Sequence, residues 1–194
     1  MKLVTVILCH PKEMKQTQVV AEYYRRFGAV SIIQCDFTKA KEEDCRNTAY
    51  AKFKDYDYIL CVDSDEIICE DDMENLMIDM ETNKRDCYQS VFLFYLNYDT
   101  VKWPLHGYCP IIAIKPGKVK FTDKRICDKH NAGFVCPPPF ITHHLYYIHD
   151  QEWRKEQYKI RGIDKGEELY ESGTKEIHPP EEVKEILNKL GIVV

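Results

Sequence analysis

The stretch that most constrains this chain is residues 56–67, Tyr-Asp-Tyr-Ile-Leu-Cys-Val-Asp-Ser-Asp-Glu-Ile. Residues 59–62 form an unbroken apolar run, the pattern of a strand buried on both faces of a parallel or mixed sheet. The run stops at three carboxylates within four residues: Asp63, Asp65 and Glu66. A carboxylate taken out of water costs several kcal/mol unless it is paired or bound to a metal. Open α/β sheets hold their ligands at the carboxyl ends of strands. Asp63 and Asp65 alternate, so in an extended segment they point the same way, and a turn there converges them on one hard cation. A competing, purely structural reading is a strand followed by an acidic helix start. In that reading Asp65 is the cap, and Glu70, Asp71 and Asp72 favour the helix dipole.

Upstream, residues 3–8 read as a first buried strand, ended by His10-Pro11. Helical spacing of Val19, Val20, Tyr23, Tyr24 and Phe27 predicts a helix over 13–27 that closes at Gly28. A second strand over 29–35 stops at Asp36, and a second helix covers 42–54. The order strand, helix, strand, helix, strand and then acid predicts an α/β fold with a Rossmann-like, mixed but mostly parallel sheet flanked by helices. Downstream, the pattern predicts a helix over 71–83 and strands over 88–98, 108–114 and 141–148. A loop is expected over 115–139, and further helices over 152–160 and 180–190. A chain of 194 residues suits one domain, 1–160, with 161–194 a C-terminal polar loop and helix acting as lid or linker.

Composition bounds the function. The net charge of −5 argues against a nucleic-acid partner. The basic residues of 115–120 and Lys124-Arg125 form only small clusters, suited at most to one anionic ligand. Nine cysteines with no Cys-x-x-Cys pair do not read as a disulfide framework. They predict a reduced, cytoplasmic chain. No apolar run has the length of a membrane span.

Val-Asp-Ser-Asp-Glu-Ile over 62–67, after a βαβα opening, resembles the Asp-x-Asp motif of glycosyltransferases with the GT-A fold. It is most similar to the family 2 type, whose members read as an apolar strand and then Asp-x-Asp-Glu. Arg46-Asn47 stands where such enzymes carry an Arg-Asn pair, and Asp36 where they place an acid against the nucleobase. The segment around His143, His144 and Trp153 is similar to a late stretch in which a histidine completes a metal site. The resemblance covers about residues 1–160. It implies a metal-dependent, hexosyltransferase-like enzyme that moves a sugar from a nucleotide-sugar donor such as a UDP-sugar to a hydroxyl of a glycan or glycoprotein acceptor, with inversion favoured. It further implies Mn²⁺ or Mg²⁺ as cofactor. Asp65 is then a direct ligand, Asp63 a contact to the ribose or to metal-bound water, and Ser64 part of the donor site. One of His143 and His144 is the third ligand. Adjacent strand residues face opposite ways, and periodicity does not choose between them.

A transfer of this kind needs a carboxylate base near the acceptor. Asp123, Asp128 and Asp150 are the candidates, with Asp128 preferred for its place in the loop-rich stretch. The family's Glu-Asp dipeptide near that position is absent, as is its Gln-x-x-Arg-Trp motif. Trp103, Tyr108 and Trp153 are either sugar-stacking or core aromatics. Two other readings stand beside the transferase. One is a haloacid dehalogenase-type phosphohydrolase using Asp63 and Asp65, although that motif normally sits on a first strand. The other is a catalytically inactive nucleotide- or metal-binding module.

Overall fold

The computed structural model describes residues 1–36, 39–95, 100–102, 110–123, 126–127, 140–145, 174–176 and 179–192. The chain opens with β1 (Leu3–Cys9), α1 (Met14–Tyr24), β2 (Ala29–Gln34), α2 (Glu42–Tyr50) and β3 (Tyr58–Asp63), in the expected order, with both helices ending short of their expected ends at 27 and 54. The strands β2, β1 and β3 lie side by side in parallel. The sheet is completed by β8 (Ile111–Ile114), antiparallel to β3, and then β5 (Cys87–Gln89), antiparallel to β8. Four of its five strands therefore run the same way, and β8 alone runs against them.

The period-two pattern of these strands feeds two apolar layers. Leu3 and Ile7 of β1, with Tyr58, Leu60 and Val62 of β3, pack with α1 residues Val20 and Tyr24 and with α3 (Glu70–Thr82) through Met73, Leu76 and Met80. Val4, Val6 and Leu8 face the other way with Ile59 and Cys61, against Ala49 and Tyr50 of α2 and Phe121 of β9 (Phe121–Asp123). A strand covered on both faces has no solvent side, which is why 59–62 reads as continuous hydrophobe. The last helix, α4 (Glu181–Lys189), places Val183, Ile186 and Leu187 in the same layer as α1. The expected boundary at residue 160 falls outside the described residues.

A second sheet shapes the far side of the acidic motif. It has the order β12 (Thr174–Glu176), β7 (Thr100–Lys102), β6 (Val91–Tyr95), β11 (Ile141–His144), β4 (Glu66–Ile67). β11 is parallel to β6 and antiparallel to β4, with His144 opposite Glu66 and His143 opposite Ile67. The single strand expected over 88–98 is thus two strands in two sheets. The break is Ser90, whose hydroxyl meets that of Thr142 at 2.6 Å and whose N–H donates to the carbonyl of Pro110. The loop expected over 115–139 contains β9 and β10 (Ile126–Cys127), an antiparallel pair. The helix expected over 152–160 lies outside the described residues.

One further expectation is corrected. The purely structural reading made Asp65 a helix cap. In fact β4 intervenes, α3 begins at Glu70, and the residue at its N-cap is Cys69. The sulfurs of Cys35, just beyond β2, and Cys45 in α2 stand at disulfide distance. Cys9, Cys61, Cys69 and Cys87 are buried. No helix among the described residues is long and apolar enough to cross a membrane.

Candidate donor and metal site

The strand order places a crevice where the acids are. From β1 the chain crosses to β2 on one side, and β3 then returns to the other side of β1. The carboxyl ends of β1 and β3 therefore flank the point where the winding reverses, the place where open α/β sheets take their ligands. His10 follows β1 there, and the Asp63-Ser64-Asp65 turn follows β3.

Both turns are bolted together beneath the surface. His10 caps a short 3₁₀ turn, Pro11–Glu13, whose Glu13 carboxylate reaches back to the His10 N–H at 3.1 Å. This reciprocal arrangement is a capping box. The same Glu13 oxygen accepts the Ser64 hydroxyl at 3.0 Å, and the Gln16 side-chain amide donates to the Ser64 carbonyl at 2.9 Å. Ser64 is 1% exposed and Glu13 5%. Ser64 therefore holds the turn in place from below. The tyrosines of α1 secure the next segment: Tyr24 accepts the Ile68 N–H and donates to the Glu66 carbonyl, while Tyr23 donates to the Ile68 carbonyl.

Asp63 is held from α2. Arg46 is fully buried, and its Nη2 donates to both Asp63 carboxylate oxygens, at 2.9 and 3.0 Å. The same guanidinium donates to Glu42 at 2.6 Å and to the Tyr50 hydroxyl at 3.1 Å. Burial works against its charge, but Asp63, then Tyr50 and Glu42, outweigh burial and raise its pKa well above the ordinary arginine value. The Asp63 N–H in turn donates to a Glu66 carboxylate oxygen at 2.9 Å. Asp63, expected at the ribose or metal-bound water, thus has its carboxylate on Arg46.

Asp65 is different. It is 2% exposed, and neither of its carboxylate oxygens accepts a hydrogen bond among the described residues. The backbone fixes it: its carbonyl accepts the Leu145 N–H at 2.8 Å, tying the turn to the end of β11. His144 Nε2 stands 3.7 Å from one Asp65 oxygen, with the ring against Phe92 and Phe94. One ligand atom from each of Asp65, Glu66 and His144 lies within 4.8 Å of the other two. Two carboxylates and an imidazole form a donor set suited to Mn²⁺, which accepts nitrogen as well as oxygen. A buried carboxylate without a donor has a physical reason to gather a cation. The residues fit a metal.

Strand phase separates the two histidines. His143 points to the opposite face of β11, with Nδ1 2.8 Å from the Tyr95 hydroxyl. Burial pushes its pKa down to about 4, so it is neutral. It is not among the three clustered donors. Glu66 is, although the sequence reading assigned it no role; its place directly after Asp65 in the motif was the available signal. Glu13 and Gln16 were likewise unassigned.

Asp36 lies just past β2, with an oxygen 2.6 Å from Lys39 Nζ and the other 3.9 Å from His10 Nε2. It stands at the edge of the same crevice. Asp128, Asp150, Trp103, Tyr108 and Trp153 lie outside the described residues, and Asp123 is placed only through the backbone of β9.

No family model matches the chain, and no curated protein matches it. Among solved structures, it is similar to A197 from STIV at 15% identity and a TM-score of 0.41, covering 59% of this chain and 65% of that one. It is also similar to S. aureus TarS 1–349, at 16% identity and a TM-score of 0.32, covering 48% of this chain and 35% of that one. A structure of TarS 1–349 in complex with UDP-GlcNAc gives 15% identity and a TM-score of 0.32, covering 48% and 34%. The chain therefore spans under two thirds of A197 and about a third of TarS 1–349. The fold described above rests on the chain's own strand order and pairing: a mixed α/β unit, with a central sheet in which four of five strands run one way and helices pack on it.

Proposed function

We propose that the chain is a metal-dependent transferase of the glycosyltransferase type, binding a nucleoside diphosphate sugar at the crevice between the ends of β1 and β3. The observation that carries this reading is Asp65: a buried carboxylate at a strand's end, without a hydrogen-bond donor among the described residues, beside Glu66 and His144. Those three residues would hold the cation. A divalent ion there supplies a Lewis acid and template for a diphosphate leaving group.

The chain's own groups divide the remaining work. Arg46 holds Asp63 oriented at the crevice wall, so Asp63 serves the donor through position rather than as a metal ligand. Asp36, at the crevice edge, is suited to accept from a nucleobase or ribose. Glu13 and Gln16 set the spacing of the two turns. The phosphohydrolase alternative requires Asp63 as a nucleophile. Both Asp63 oxygens accept from the buried Arg46, which argues against that role.

Thermal unfolding with a panel of nucleoside diphosphates and nucleotide sugars, each with and without Mn²⁺, tests the proposal. Selective binding to the native state raises the midpoint by mass action. The expected result is a Mn²⁺-dependent shift with one nucleotide that is lost in Asp65→Ala. No shift with any nucleotide would sink the donor-site reading.

A further inference from the structure

Cys35 and Cys45 each stand one residue from a side chain at the crevice. The Cys35 N–H donates to the Cys9 carbonyl at 2.8 Å, which carries the pairing of β2 with β1 one residue beyond the strand, and Asp36 follows at the crevice edge. Cys45 lies in α2 directly before Arg46, whose guanidinium holds Asp63. The two Cα atoms are 6.4 Å apart across a sequence separation of 10, within the span that a disulfide bridges.

The start of α2 has little else to hold it. The helix has nine residues, too few to be stable in water on propensity alone. Lys41 at the N-cap makes no side-chain cap bond among the described residues, so the usual stabilisation of a helix start is missing. The buried residues of α2 are Arg46, Ala49 and Tyr50, all beyond Cys45. That later half is secured by the Arg46–Asp63 pair, by the packing of the Tyr50 ring on Phe121, and by Asn47, which clamps the Phe121 backbone in both directions. The first turn still bears on the crevice, because Glu42 accepts from Arg46 at 2.6 Å and shares that guanidinium with Asp63. A bridge from Cys45 to Cys35 pins this turn to the end of β2. Cys45 is only partly buried, whereas Cys9, Cys61, Cys69 and Cys87 are buried. Thiol exchange needs access to a sulfur, and exposed bridges are the labile ones.

We propose that Cys35 and Cys45 form a reversible redox latch on α2. Joined, they hold the first turn in place and keep Glu42 on Arg46. As two thiols they let that turn fray and leave Asp63 as the main counter-charge of Arg46. A small-molecule disulfide is the oxidant. The Cys45 thiolate attacks one of its sulfurs, forming a mixed disulfide and expelling one thiolate. The Cys35 thiolate then attacks the Cys45 sulfur and expels the second. Two electrons pass to the small disulfide, which leaves as two thiols carrying the two protons lost by the cysteines. Excess thiol drives the same steps backwards. This inference does not depend on the donor-site reading, and its test uses neither nucleotide nor metal.

The experiment treats the folded protein with 2-hydroxyethyl disulfide, chosen because it is uncharged and Glu42, Glu43 and Asp44 surround the approach to Cys45, and then with excess 2-mercaptoethanol. Peptide mapping without reduction should find the peptide of Cys35 joined to that of Cys45 after the first step and separate after the second. Hydrogen exchange by mass spectrometry reads the helix in both states. The amides of residues 45–49 bond to carbonyls of the first turn and just before it, and they should exchange about tenfold or more faster in the dithiol form. Cys45→Ser should exchange at the fast rate in both buffers, and Cys35→Ser should match it. The proposal is overturned by any one of four results: no joined peptide in folded protein, a bridge that excess thiol does not open without denaturant, equal exchange at residues 45–49 in the two states, or a redox-dependent rate there that survives Cys45→Ser.

Discussion

Asp65→Asn should make the metal-free protein more stable and, at the same time, indifferent to divalent cations. Asp65 is 2% exposed, and its two oxygens accept no hydrogen bond among the described residues. A buried group left unsatisfied costs about 1–3 kcal/mol, and more when it is charged. Neutralising it recovers part of that cost. For a domain of this size each kcal/mol corresponds to about 2–4 °C in the unfolding midpoint. The expected rise in the presence of a chelator is therefore about 2–12 °C. Wild-type protein instead gains its stability on adding Mn²⁺. At a hundredfold excess over Kd the ion stabilises the native state by about 2.7 kcal/mol, or about 5–11 °C by the same conversion. Differential scanning calorimetry of both proteins, with chelator and with Mn²⁺, reads all four midpoints. If the variant is less stable than wild type in chelator, or gains the same Mn²⁺ shift, the reasoning about Asp65 is refuted.

Two more outcomes follow from the buried network and the thiols. Asp63→Ala leaves the guanidinium of Arg46 buried with Glu42 as its counter-charge among the described residues, so urea unfolding should show a loss of about 3–5 kcal/mol; combining it with Arg46→Met should recover much of that loss, because the stranded charge is removed. Cys69 has its thiol pushed up to about 12 by burial, with Glu182 adding to it, and burial also raises Cys9. The thiolate is the reactive form, so at pH 8 only about one Cys69 thiol in 10⁴ is ionised. Iodoacetamide labelling mapped by mass spectrometry should leave Cys9 and Cys69 unmodified in native protein and modify them after denaturation.

The first half of the chain was legible because local pattern and final burial agree there. Residues 59–62 are covered by apolar layers on both faces, and the helices before them carry their apolar residues at helical spacing. The acids were conspicuous because burial of charge is costly wherever the chain goes. What was not legible was direction. An extended strand would aim Asp63 and Asp65 the same way, but the chain turns at Ser64, so Asp63 meets Arg46 and Asp65 meets His144. The choice of His144 over His143 depends on the phase of β11 against β6 and β4, a long-range pairing with no local signature. Ser90 splits one apolar run between two sheets for the same kind of reason: its partner, Thr142, is 52 residues away. Glu66 joins the cluster through β4, a two-residue strand whose pairing with β11 sets it opposite His144, again a long-range contact with no local signature.

Asp65, Glu66 and His144 are proposed to hold one divalent cation. Pulsed electron paramagnetic resonance of Mn²⁺ added to the protein tests it most directly, because an imidazole nitrogen bound to the ion modulates the electron spin echo. The account predicts one bound Mn²⁺ per chain with a nitrogen coupling that changes on ¹⁵N-histidine labelling, disappears in His144→Gln and persists in His143→Gln. A spectrum identical to that of the free hydrated ion, or a nitrogen coupling that survives His144→Gln, would contradict it.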